Sequence, residues 1–175
     1  MKLFSVFLGG EAPKCNTELH DVVFAVGKNI ESTYLQLLDK WFGTPQSLHI
    51  DSWFEVKSVD GYKIKLSKKK EQSSKKLFFV NLGGYDKNIF GELHTYTLCV
   101  ASKISEAKKI SKRKLLQDAF QVHTDNIFEV DICFPVEKVN GYYINLEFTG
   151  KEIKHNYNNE YHKIPKEIIS SYLLK

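Results

Sequence analysis

Eight side chains in this sequence have the types and spacing that metal binding or proton transfer requires. Glu18 and His20 stand two residues apart, as do His49 and Asp51, and similar pairs recur as Glu92 with His94 and His123 with Asp125. In extended chain, residues i and i+2 share a face, so each pair points one way. Two imidazoles with two carboxylates could hold a zinc, manganese or iron ion. They could equally act as an acid–base pair. The competing reading is structural. His20 shares its face with Val22, Phe24 and Val26, and a histidine at the rim of a core often only satisfies a buried carboxylate or carbonyl. No cofactor is required by the sequence, a divalent transition metal is the one these residues would accept, and no catalytic residue can be named.

Gly9-Gly10 and Gly83-Gly84-Tyr85 are a second candidate, because glycine loops can turn backbone N–H groups toward an anionic ligand. They lack any nucleotide-binding pattern and do not open into a helix, so a tight turn after a strand explains them as well. Cys15 lies near the first Glu-Leu-His motif, but Ile89 occupies its place in the second.

The pairs recur because the chain repeats itself. A shift of 74 positions aligns Leu3-Phe4 with Leu77-Phe78, Leu8-Gly9-Gly10 with Leu82-Gly83-Gly84, and Glu18-Leu19-His20 with Glu92-Leu93-His94. It continues through His49 and Asp51 against His123 and Asp125, and Phe54-Glu55-Val56 against Phe128-Glu129-Val130. One offset held this long marks an internal repeat. Val59-Asp60-Gly61-Tyr62 then matches Val139-Asn140-Gly141-Tyr142 at a shift of 80, which implies six inserted residues near 131–136.

The elements positioning these residues follow from periodicity. Phe4, Val6 and Leu8 alternate, as do Phe78, Val80 and Leu82, so each copy opens with a strand whose apolar face is core. A second strand runs from about His20 to Val26. Ile30, Tyr34, Leu37, Leu38, Trp41 and Phe42 make a helical stripe behind an Asn29 cap. The matching stripe of Ile104, Ala107, Ile110 and Leu115 is thinner. Asp60-Gly61 and Asn140-Gly141 suit type I′ turns, which need positive φ at both central residues. The face of Phe54 and Val56 conflicts with that of Tyr62, Ile64 and Leu66 unless the strand breaks near Lys57-Ser58. The reading is an α+β fold: a duplicated ββαββ unit with mainly antiparallel sheets, helices on one face and a pseudo-two-fold arrangement. Its segments are 1–67, a Lys-rich linker 68–75, 76–150, and a C-terminal extension 151–175. In that extension Asn156 to Asn159 reads as a loop, and Pro165 opens a short helix whose Ile168, Ile169, Tyr172 and Leu173 dock on the core.

Charge narrows the function classes. The net charge of +4 is concentrated in the segment from Lys68 to Lys76, with five lysines against one glutamate, and in Ser102–Leu116. A basic helix and linker are compatible with nucleic acid, but a solvated helix face explains them too. Three cysteines form a poor disulfide framework and fit a reducing compartment. The apolar start, Leu3 to Leu8, recurs inside the chain as Leu77 to Leu82, so it reads as a strand and not an export signal. No run approaches the ~20 apolar residues of a membrane helix. The expectation is a cytoplasmic protein without membrane contact, a monomer or homodimer.

Thr17-Glu18-Leu19-His20-Asp21, His49-Ile50-Asp51-Ser52-Trp53, Val59-Asp60-Gly61-Tyr62, Phe78 to Tyr85 and Glu92-Leu93-His94 resemble the motifs of the bacterial domain of unknown function 1543 family. The resemblance covers both copies and leaves the C-terminal tail unmatched. It implies no established activity, so no site residues transfer from it. The reading is a non-catalytic module that binds a small ligand or a protein through two related half-sites. The alternatives are a metal-dependent enzyme using the His/Asp/Glu clusters and a weak nucleic-acid binder.

Overall fold

The computed structural model describes residues 1–118 and 129–174, with side chains for all of these but 116–118. The fold is α+β and dominated by antiparallel sheet. Two compact units divide it.

The first unit comprises Met1–Lys57, Val139–Tyr142 and the C-terminal segment from Ile153. Its sheet has the order β11 (Asn158–Lys163), β3 (His49–Glu55), β1 (Lys2–Gly10), β2 (Leu19–Gly27), all antiparallel. Phe4, Val6, Leu8, Val23, Ala25 and Ile50 occupy one sheet face. They pack against Tyr34, Leu37 and Leu38 of α1 (Tyr34–Lys40) and Ile169 of α3 (Lys166–Leu173). Each large side chain buried here contributes about 1.5–3 kcal/mol of transfer free energy. The Asn29 carboxamide accepts from Ser32 N–H at 3.2 Å, as expected of a cap. A 3-10 turn at Glu31–Thr33 precedes α1, and the helix ends where Trp41 turns extended. Phe42, expected in the stripe, is exposed instead.

Pro165 opens α3, and Ile168, Ile169 and Tyr172 pack on the core, while Leu173 stays half exposed. The expected loop at Asn156–Asn159 is only partly one, because Asn158 and Asn159 begin β11 against Trp53 and Ser52.

The second unit comprises Ser58–Lys138 and Tyr143–Glu152. One sheet runs β7 (Glu92–Ala101), β6 (Lys76–Tyr85), β8 (Glu129–Pro135). Phe78, Val80, Leu82, Cys99 and Ala101 bury against Ala107 of α2 (Ile104–Asp118). Glu106 accepts from Ser102 N–H at 2.7 Å at the start of α2, tying down an orphan donor. Another sheet has the order β4 (Ser58–Val59), β5 (Tyr62–Ser67), β10 (Tyr142–Phe148), β9 (Lys138–Val139). Its turn residues have positive φ throughout: Asp60 53°, Gly61 76°, Asn140 45° and Gly141 75°. The strand break falls at Val56-Lys57, between β3 and β4. Asp60, in the first copy's turn, accepts from Val100 N–H at 2.8 Å and pairs with Lys114 at 2.6 Å.

The glycine pairs also depart from the sequence expectation. Gly9, Gly10, Gly83 and Gly84 are not in loops but end strands β1 and β6. Gly9 pairs with His20 on one side and His49 on the other, leaving no cradle of free N–H groups. Tyr85 closes β6 and is exposed.

The six extra residues of the second copy also precede β8 and do not lie near 131–136. Gly9 pairs with His49 and Ser5 with Phe54, while Gly83 pairs with Glu129 and Phe79 with Phe134. Val56 N–H donates to Leu3 C=O, and Val136 N–H to Leu77 C=O. Phe134-Pro135-Val136, not Phe128-Glu129-Val130, therefore takes the place of Phe54-Glu55-Val56.

Candidate functional site

At the Gly9 end of the first sheet, two strands bring four polar side chains together. His20 and His49 oppose Gly9 from either side, and directly opposed residues of antiparallel strands share a face. Glu18 precedes His20 by two residues and reaches the same face. Asp51 arrives by a different device. Phe7 pairs with Ser52 and Leu8 with Ile50, so Asp51 is the extra residue of a β-bulge. Bulges re-aim side chains in this way.

The result is a convergent quartet. His49 Nε2 lies 3.0 Å from Glu18 Oε1 and 3.2 Å from Asp51 Oδ1. His20 Nε2 lies 3.4 Å from Asp51 Oδ2 and 3.7 Å from Glu18 Oε2. A Cβ on residue 9 would stand 2.5 Å from both His49 Nε2 and Asp51 Oδ2. Glycine is therefore needed for space, not for a turn. Phe7 stacks on the His20 ring at 5.2 Å, and the Tyr161 ring lies 4.2 Å from that of His49.

His49 is 3% exposed, Glu18 and His20 are open to solvent, and Asp51 is half-buried. Its Nδ1 lies 3.0 Å from the Ser47 carbonyl oxygen. A carbonyl only accepts, so Nδ1 carries the hydrogen and the tautomer follows from the network. In a neutral ring Nε2 is then a bare lone pair facing two carboxylates. Nε2 and Asp51 Oδ2 are buried without a hydrogen bond. The nearby oxygens are close enough in distance but not placed along a bond direction.

The second copy builds only part of this. His94 lies 3.6 Å from Glu92 through Nε2 and 3.6 Å from Asp131 through Nδ1. Asp131 is the bulge residue between the Asn81–Ile132 and Leu82–Val130 pairs, the counterpart of Asp51. Glu129 stands where the first copy has His49, and Lys112 of α2 pairs with it at 2.7 Å. That hydrogen bond holds the Glu129 carboxyl below its ordinary range. His123 and Asp125 lie outside the described residues, and the strand register gives their expected positions to Glu129 and Asp131. Gly83 again leaves space, since a Cβ there would collide with Asp131 and stand 2.5 Å from Glu92 Oε1.

The sequence missed Glu129 and Asp131 as members of the second cluster, and Ser47 and Tyr161 as neighbours of the first. Among the described residues, no group of three or more His, Cys, Asp or Glu side chains stands where it could hold a metal ion without a side chain moving. Cys15 is exposed, Cys99 buried and Cys133 half-buried, all as free thiols. Of the basic-helix lysines, Lys112 and Lys114 are held in ion pairs with Glu129 and Asp60. No described helix is long and apolar enough to cross a membrane.

Comparison with known proteins agrees with this duplicated plan. A structure described as a protein Il1583 from Idiomarina loihiensis is 34% identical and superposes with a TM-score of 0.71. The match covers 94% of this chain and 98% of that one. A search of curated proteins found no match. The family DUF1543, Domain of Unknown Function, matches residues 15–66 and again 90–146. With more than half its length matched, the chain belongs to the DUF1543 family and carries two tandem copies of its domain.

Proposed function

We propose that this protein is a binding module whose first copy holds a divalent transition-metal ion through Glu18, His20, His49 and Asp51. The observation that carries the reading is His49. It is buried, its Nδ1 hydrogen is committed to the Ser47 carbonyl, and its Nε2 faces two carboxylates without a hydrogen bond. A metal-ligating histidine commonly donates its other ring N–H to a carbonyl, which fixes the ring. A cation beside Nε2 would convert the unfavourable contact of lone pair and carboxylates into three coordinate bonds. The spacing supports this. Ligand atoms about 2.1 Å from one ion stand roughly 3.0–3.4 Å apart in octahedral or tetrahedral geometry. The 3.0 and 3.2 Å from His49 Nε2 to Glu18 Oε1 and Asp51 Oδ1 fall in that range, while His20 Nε2 faces the other oxygen of each carboxylate, 3.7 Å from Glu18 Oε2 and 3.4 Å from Asp51 Oδ2. Rotation of the exposed Glu18 and His20 side chains closes the remainder.

The second cluster serves as a related half-site that does not take the ion, because Lys112 supplies its positive charge. Titration of metal-free protein with zinc and with manganese tests the reading. One equivalent bound per chain, competed by a chelator, is expected. No bound metal and no thermal shift with either ion would leave the quartet as a polar rim of the sheet.

A further inference from the structure

We infer that the metal of the first copy takes a small oxyanion, a carboxylate or phosphate group, as its remaining ligand, and that Lys163 and Tyr161 select it. This rests on the metal reading above. Strand β11 sets Lys163 opposite His49 and His162 opposite Ile50. Opposed residues share a face, so Lys163 rises on the side of the quartet while His162 turns to the core. His162 confirms the sense of the strand, since it meets Tyr34 Oη at 2.5 Å and the edge of Trp53. A register irregularity between Asn159 and His162 brings Tyr161 to the His49 ring at 4.2 Å. The Lys163 ammonium sits 5.6 Å over the Tyr161 ring. Among the described residues Lys163 has no carboxylate partner, unlike Lys112 and Lys114.

Charge then decides the ligand class. Two carboxylates and two neutral imidazoles cancel a divalent ion, so the loaded quartet carries no net charge. An ammonium on the same sheet face as a neutral metal centre, on the residue paired with one of its ligands, favours an anion at the open position over a neutral or cationic group. The exposure of Glu18 and His20 keeps that position open to solvent. Among the described residues the second copy has nothing comparable, its sheet being the three strands β7-β6-β8. Both selecting residues also lie beyond the family match, which ends at residue 146. The oxyanion is thus a property of this C-terminal strand and not of the repeated domain.

Cobalt-loaded full-length protein tests the inference, with acetate and phosphate titrated separately against its visible absorption. A saturable spectral change with either anion is expected. Lys163→Gln should weaken it about tenfold and leave the starting cobalt spectrum unchanged. The acetate and phosphate arms tell which oxyanion is preferred. A cobalt spectrum that responds to neither anion, or responds equally in Lys163→Gln, overturns the inference and leaves the metal reading standing. Protein that gives no cobalt spectrum overturns both.

Discussion

The two copies apply one backbone plan to opposite electrostatic ends. Each places near the end of its first strand a glycine that leaves space, flanks it with a histidine from the second strand, and re-aims an aspartate by a bulge in the third. One substitution in the third strand separates them. Where the first copy buries His49, the second exposes Glu129 and pairs it with Lys112. The first site is therefore short of a cation, and the second contains one of its own. Duplicated backbone geometry conserves where side chains point, while the charge balance of a site is reversed by two positions, Glu129 and its partner Lys112.

The comparison is most easily broken at the histidines. His49→Ala should reduce metal affinity by more than about 100-fold, measured by calorimetry, since a ligand matters more than an outer partner worth 10–100-fold. His94→Ala should change it little. Equal effects from the two variants would mean the copies are not divided as described. The converse change sharpens the comparison. Glu129→His with Lys112→Gln restores the missing imidazole and removes the competing ammonium, so a second equivalent of metal should bind, more weakly than the first.

A smaller effect is expected from the glycines. Gly9→Ala drives a methyl group into His49 and Asp51 and should cost about 1–3 kcal/mol in denaturant unfolding, along with metal binding. Gly83→Ala should cost a similar amount of stability, but no metal, because the space it fills lies between Asp131 and Glu92.

The smallest effect is a difference in alkaline stability. Cys99 pairs with Phe78 where the first copy pairs Ala25 with Phe4. Burial pushes the Cys99 thiol up to about 11 from an ordinary 9.0. An acid group whose folded pKa is raised contributes stability that is complete below the unfolded pKa and is lost as pH rises from 9.0 toward about 11. Thermal melts between those limits should fall for the native chain and fall less for Cys99→Ala. Parallel curves would remove Cys99 from the account.

Much of the first site was legible in sequence because it depends on a local rule: alternation places Glu18 with His20 on one face. That His20 and His49 meet was not legible, since it depends on Gly9 pairing with both. The second site was misread for an instructive reason. Phe-Glu-Val at Phe128 and Phe-Pro-Val at Phe134 both resemble Phe54-Glu55-Val56, and His123-Thr124-Asp125 resembles His49-Ile50-Asp51. Local similarity favoured the shorter offset, and only hydrogen-bond register distinguished the two. The glycine pairs were misread because composition reports permissiveness without saying whether it is used for a turn or for space. Strand β11 escaped notice because its Asn-rich start has the polarity of a loop, while its apolar contact comes from His162 and Tyr161.

The Asp60-Gly61 turn carries one further consequence. Although it belongs to the first copy, it caps Val100 and Lys114 of the second unit, and Val139–Tyr142 is grouped in turn with the first. Repeat boundaries drawn along the chain are therefore not cleavage boundaries in space. A fragment expressed as residues 1–67 would leave its hairpin without a host, and the remainder would lose the carboxylate that receives Val100. Each half is the other's missing piece, so a gene cut at the repeat junction should yield two insoluble products, and mixing or co-expressing them should recover the fold.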